Sequence, residues 1–193
     1  MPKSVDVAER DRLVSEAAWR VLVRDGLTEL SVRRVAAEAG LPPSSLRYSF
    51  PTQASVRDRA VALLVDRLEA RVARHADQDE AGEREARSIL LELLPLDDER
   101  RVEMEVSLAL GAMAMTDHAL WTAHQHAHRA IRSACTRALE LLGADARDVA
   151  GTHALIDGLA LHLVRQSPDE GGAWARAALD AHIQRLGTPG ALR

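Results

Sequence analysis

A single cysteine, Cys135, stands in 193 residues, which leaves no partner for an intrachain disulfide and no thiolate set for a zinc site. Such sparing use of thiols fits a reducing compartment. Lysine occurs only at Lys3, so nearly every positive charge is an arginine. No apolar run reaches the length needed to cross a bilayer, and the opening MPKSVDVAERDR lacks the apolar core of a secretory leader. A cytoplasmic protein without a membrane partner is expected. Motifs of catalysis are missing as well: there is no phosphate-cradling glycine loop, no nucleophile elbow and no HExxH. Cys135 falls in mid-helix without a general base and reads as a small buried apolar residue. Neither an enzyme nor a resident cofactor is expected, and no metal is assigned.

What is present is a chain with 47% hydrophobic and 28% charged residues, the balance of a globular protein with a real core. The net charge of −4 is unevenly spread. Residues 1–60 hold ten Lys/Arg against eight Asp/Glu, a net of +2, which leaves −6 for residues 61–193. Within residues 31–57, Arg33, Arg34, Arg47 and Arg57 face only Glu38, so the first third is the better partner for a polyanion.

Apolar residues recur at a helical period throughout, and no strand signal interrupts them. Leu13, Ala17, Val21 and Leu22 predict a helix over 8–25, ended by Gly26. Ser31 reads as the N-cap of a short helix with Val32, Val35, Ala36 and Ala39 on one face, and Gly40 as its left-handed C-cap. Leu41-Pro42-Pro43 then turns the chain into a third helix from 43 or 44 to 50, where Pro43 suits the first helical position. A fourth helix over 53–76 buries Val56, Ala60, Leu63, Leu64 and Leu68. Further helices are predicted near 80–94, 99–115, 118–142, 146–166 and 172–186, with breaks at caps and turn residues. The fold class is all-α with about nine helices: a three-helix N-terminal domain over 1–52, and a larger helical domain over 53–193 joined to it by helix 53–76.

The second and third helices, joined by a tight glycine-containing turn, describe a helix-turn-helix. Ala36 and Ala39 permit close approach, and Leu41 and Leu46 fill the angle between the helices. The only tyrosine and the only phenylalanine, Tyr48 and Phe50, both fall at the end of the third helix. Phe50 can anchor that end, and the Tyr48 hydroxyl can meet a phosphate.

Gly26-Leu27-Thr28 through Leu30-Ser31-Val32, then Val35-Ala36-Ala37-Glu38-Ala39-Gly40-Leu41, then Leu46-Arg47-Tyr48-Ser49-Phe50, form an ordered set that resembles the TetR family of bacterial transcriptional regulators. The likeness covers roughly residues 8–60. It departs from the family pattern at Pro42, at Arg47 where a second tyrosine is common, at Ser49 where histidine is common, and at Gln53 where a lysine usually opens the fourth helix. The resemblance implies that the third helix enters the major groove, with Ser44, Ser45 and Arg47 meeting bases or phosphates and Arg33 and Arg34 lying near the backbone. Thr52 and Gln53 would offer amides at a helix start, where the dipole favours phosphate. Arg47 is the candidate for reading guanine, because a guanidinium matches its edge bidentately.

In the second part of the chain, the run from Met104 to Met115 is apolar on all sides over its later half and is expected to pass through the middle of a helical domain. Met104, Leu108, Met113 and Met115, with Trp121 and His124 on the next helix, are the candidate lining of a small-molecule pocket. The resemblance implies an effector there, of unidentified chemistry. Leu155-Ile156-Asp157-Gly158-Leu159-Ala160-Leu161-His162 is similar to the BetI-like subgroup. Choline is not carried over, since too few aromatic residues remain for a cage. Surplus apolar surface on the last two helices implies a partner. By the same resemblance Leu155, Gly158, Leu159, His162, Leu179 and Ile183 form a homodimer interface, which would place two reading heads on a palindromic operator in double-stranded DNA. Repression relieved by the effector is the expected output, through a population shift, with helix 53–76 as the lever. His153 and Asp157 are expected to form a local hydrogen-bonded pair.

Two other readings compete. His118, His124 and His128 lie on one predicted helix, and the last two share a face, the spacing of a two-ligand metal site. A helical interaction module without DNA affinity would also fit the departures at Pro42 and Gln53.

Overall fold

Capping chemistry sets the helix ends in the computed structural model, which describes residues 7–47, 50–76 and 82–187. Ser31 is extended (φ −144°, ψ 155°) and its hydroxyl accepts from the Arg34 amide at 3.4 Å, which starts α2 (Val32–Glu38). Gly40 takes a φ of +67°. The Leu41 amide then reaches the Ala36 carbonyl at 2.9 Å and the Gly40 amide the Ala37 carbonyl at 3.2 Å, the paired bonds of a Schellman close. Gly26 (φ +82°) ends α1 (Val7–Asp25). Thr52 and Ser55 cap α4 (Gln53–Ala76) reciprocally, each hydroxyl accepting the other's amide at 3.1 and 3.2 Å.

The third helix, α3 (Pro43–Leu46), is a single turn and stops four residues before the expected end. Arg47 is its C-cap, donating its amide to the Pro43 carbonyl at 3.3 Å. Then follow α5 (Gly82–Glu92), α6 (Asp98–Ala114), a 3-10 turn at His118–Leu120, α7 (Trp121–Leu142), α8 (Asp148–Arg165), a second 3-10 turn at Pro168–Glu170 and α9 (Ala173–Leu186). Among the described residues there are nine α-helices and no strand, and no helix is long and apolar enough to cross a membrane.

These elements pack as two compact units that do not follow a single cut in the chain. One contains the residues up to Val65 together with Val106–Ala127, and the other Asp66–Glu105 together with the residues from His128 onward. In the first, Val14, Ala17, Val21 and Leu22 of α1 are buried with Val35, Ala36, Leu46, Phe50, Val56 and Ala60. The second is built on Ile89, Leu90 and Leu94 around α5, Cys135 and Leu139 of α7, Ile156 and Ala160 of α8, and Leu179 and Ile183 of α9.

The expectation for α6 needs correction. Of its apolar residues only Val106, Leu110 and Ala114, one turn apart, are buried, whereas Leu108 is 37% and the following Met115 83% exposed. A helix apolar all round has here a single covered face, because packing neighbours rather than composition decide which side is enclosed.

Candidate nucleic-acid interface and effector domain

Electrostatics sort the arginines of the first unit into two groups. Most are consumed within the fold: Arg20 and Arg24 hold Glu38 at 2.7 and 2.8 Å, and Arg24 also holds Asp25 at 3.1 Å. Arg34, expected near the DNA backbone, is held by Asp25 at 3.1 Å and Glu29 at 2.8 Å. Arg59 donates to the Ser15 hydroxyl at 2.9 Å. Arg57 is half-buried, with its buried Nε unpartnered. Arg33 and Arg47 are different. Both are exposed, and neither has an ion pair among the described residues. Beside Arg47, Ser44 is exposed, while the half-buried Ser45 donates its hydroxyl to the Pro42 carbonyl at 2.7 Å. Thr52 is exposed at the cap of α4, and Gln53 is the first residue of that helix. Tyr48 lies outside the described residues. A contact absent from the sequence reading comes from α1, where the Arg10 guanidinium donates to the Ser45 backbone carbonyl.

The six residues expected to line an effector pocket are divided between the units. Met104 is half-buried against the core of the second, while Leu108, Met113, Met115, Trp121 and His124 belong to the first. Trp121 is 46% exposed and stands 5.9 Å from the His124 ring. A cleft of about 330 Å³ in the second unit has a different lining: Leu68, Val72 and Ala73 of α4 face Ala130 and Ala134 of α7, with Glu69, Ser133 and Arg137 among its polar groups.

Glu103 of α6 is buried and engaged by two arginines of α4. Its carboxylate accepts from Arg67 at 2.9 Å and from Arg71 at 3.0 and 2.6 Å. Glu92 pairs with Arg100 and Arg71, both at 3.3 Å, and accepts from His75 at 3.0 Å. Multiple charge-assisted hydrogen bonds of this kind fix the later half of α4 to α5 and α6. The signal was present as two arginines four apart on α4 and Glu99 and Glu103 four apart on α6, matching charges at helical spacing.

On the last two helices, Leu159, Leu179 and Ile183 are 7%, 0% and 4% exposed. They are core residues of the protomer, a correction to their expected place at an interface. The outward face of α8 carries Gly151, Ala154, Gly158 and His162, with Leu155 and Leu161 half-buried. On α9 the exposed residues include Trp174, Ala177 and Ala181, with Arg176, Gln184 and Arg185. A side chain added at Gly158 would meet no atom within 4 Å.

The remaining histidines are packed or solvated. His128 is exposed and stacks on buried His153 with ring centroids 4.5 Å apart. The His153 Nε2 to Asp157 distance is 3.7 Å, too long for the hydrogen bond expected of them. Burial, more than the neighbouring charges, pushes the His153 imidazole below its ordinary value. No three metal-ligating side chains converge among the described residues.

The family model for the C-terminal part of BetI-type transcriptional repressors matches residues 82–188. The HTH-type transcriptional regulator PksA of Bacillus subtilis (strain 168) is 34% identical over 168 residues, covering 84% of this chain and 82% of PksA. A transcriptional regulator from Rhodococcus sp. Rha1 superposes with a TM-score of 0.74 at 27% identity over 91% of this chain and 95% of its own. The multidrug binding protein EbrR, solved with imidazole, does so with a TM-score of 0.66 at 25% identity over 96% and 98%. With a family model spanning more than half of its length and a relative about one-third identical over most of both chains, this chain belongs to the TetR family, a family of transcriptional regulators and not of enzymes, with a C-terminal part of the BetI type.

Proposed function

We propose that the protein is a homodimeric repressor that occupies a palindromic operator and leaves it when a small molecule binds the second unit. The observation that carries this reading is the selective freedom of Arg47 and Arg33 in a unit whose other arginines are largely spent on carboxylates and backbone. Keeping an exposed guanidinium unpaired at the end of a one-turn helix gives nothing to stability, and it offers a bidentate donor to a base edge. Arg33 acts on the phosphate backbone, as does the amide end of α4 at Gln53, whereas the Thr52 amide is held by the Ser55 hydroxyl. Arg34 is a structural residue that braces α2.

Dimerisation uses the outward small-residue faces of α8 and α9. Two-fold symmetry then doubles a reading head too small to specify a site alone. The effector enters the cleft between α4 and α7. Its lining is mainly apolar, with Glu69, Ser133 and Arg137 as its polar groups, and holds no aromatic side chain, which suits a body that is apolar with a polar handle and not a quaternary ammonium group. Because α4 contributes residues to both units, a ligand that favours one placement of its later half also biases the reading head.

The test is fluorescence anisotropy with a duplex from upstream of the protein's own gene against a scrambled duplex, across a salt series. Arg47→Ala is expected to cost about 1–3 kcal/mol and to relax discrimination at one base pair. Arg33→Ala is expected to weaken both duplexes equally and reduce the salt slope by about one. Absence of binding at low salt would overturn the reading.

A further inference from the structure

The reading helix has almost nothing of its own to hold it. α3 is four residues long, so it lies far below the length at which a helix sustains itself, and each of its carbonyls belongs to a helix end. Pro42 and Pro43 bring no amide protons. The Pro42 carbonyl is taken by the Ser45 amide at 2.9 Å and the Pro43 carbonyl by Arg47 at 3.3 Å. Leu46 is buried and anchors one side. The Ser45 carbonyl is met from another element altogether, by the Arg10 guanidinium 35 residues earlier. α1, which carries Arg10, is itself well held, with Val14, Ala17, Ala18, Val21 and Leu22 buried.

We propose that Arg10 is a positioning residue for DNA recognition: by holding the Ser45 carbonyl it fixes the tilt of α3 against α1, and so the direction in which Ser44 and Arg47 are presented. This rests on α3 being the reading helix. Leu46 and, four residues on, Phe50 are buried and pin the chain at two points, which leaves the turn a rotation about the line between them. A further attachment on the backbone of Ser45 removes that rotation. A cation at the carbonyl end of a helix is also electrostatically favoured.

The experiment starts with wild-type protein and a randomised duplex pool, which yields the preferred sequence. Binding of that duplex and of a scrambled one is then measured for Arg10→Ala and Arg10→Lys across a salt series. Arg10→Ala is expected to lose about tenfold in discrimination with the salt slope unchanged, since no phosphate contact is removed, and Arg10→Lys to recover part of it. Amide hydrogen exchange provides a reading independent of DNA. Arg47 and Phe50, whose amides donate to Pro43 and Leu46, should exchange about tenfold faster in Arg10→Gln, with Val21 in α1 unchanged. Discrimination and exchange both at wild-type levels would overturn the proposal. So would a salt slope reduced by about one with discrimination intact, which is the mark of a direct phosphate contact. Wild-type protein that enriches no sequence would overturn the recognition reading underneath, a result distinct from either.

Discussion

Cys135 shows how environment decides the behaviour of a single side chain. It is fully buried in the second unit, and burial, with Asp157 adding to it, pushes the thiol up to about 12. The thiolate is the reactive form, so a thiol reagent at neutral pH is expected to leave native protein unlabelled and to label one site per chain in urea; labelling of native protein would place Cys135 at a surface. His153 and His182 supply a pH dependence. Burial is the first cause that lowers both imidazoles from 6.5, with His128 and Arg132 acting on His153 in the same direction, Arg185 likewise on His182, and Asp157 and Asp148 opposing. Folded protein holds these rings neutral while the unfolded chain takes up protons first. Their stabilisation is therefore complete above 6.5 and lost as pH falls through the lower folded values. Urea midpoints should fall between about pH 7.5 and about pH 5.5, and fall less in His153→Phe; equal losses in both would assign the dependence elsewhere. The role of Cys135 was legible in the sequence, since a lone mid-helix thiol among apolar neighbours has few other fates. The separation of His153 from Asp157 was not, because a spacing of four gives neighbourhood and not a side-chain angle.

For the helices, the parts written in local chemistry were legible and those written in packing were not. Ser31, Gly26 and Gly40 act where they stand, and each marks the end that its hydroxyl or positive φ requires. The later half of α6, and Leu159, Leu179 and Ile183 on the last two helices, needed knowledge of which neighbour lies on which side. An apolar residue on a strongly apolar helix can face a core or a partner with equal propriety. Arg101 is a device of the same hidden kind. From the first turns of α6 it donates to the carbonyls of Leu163, Val164 and Gln166 at 2.9, 2.6 and 2.9 Å, capping the end of α8. Arg101→Ala leaves these acceptors partly unsatisfied and is expected to destabilise the protein by about 2 kcal/mol, whereas Arg147→Ala, at an exposed pair with Asp145, should change little. Equal midpoints in urea for the two variants would contradict the capping role.

At the scale of the whole molecule, the outward faces of α8 and α9 allow a decisive substitution, since residues exposed in the protomer can be changed without touching its core. Ala154→Glu with Ala181→Glu is expected to keep the helical circular dichroism, to convert the proposed dimer to monomer in sedimentation, and to weaken binding of the proposed operator by more than tenfold through loss of the second reading head. A dimer that survives both changes would place the two-fold contact on another face. The division of the chain into two units has a further effect, on the order of manufacture. The unit that carries the reading helix draws its last segment from Val106–Ala127, so on the ribosome it is complete only after Ala127 has emerged, by which time α5 and the charged partners on α4 and α6 have already been made. Synthesis therefore completes this unit only after part of the other has been made.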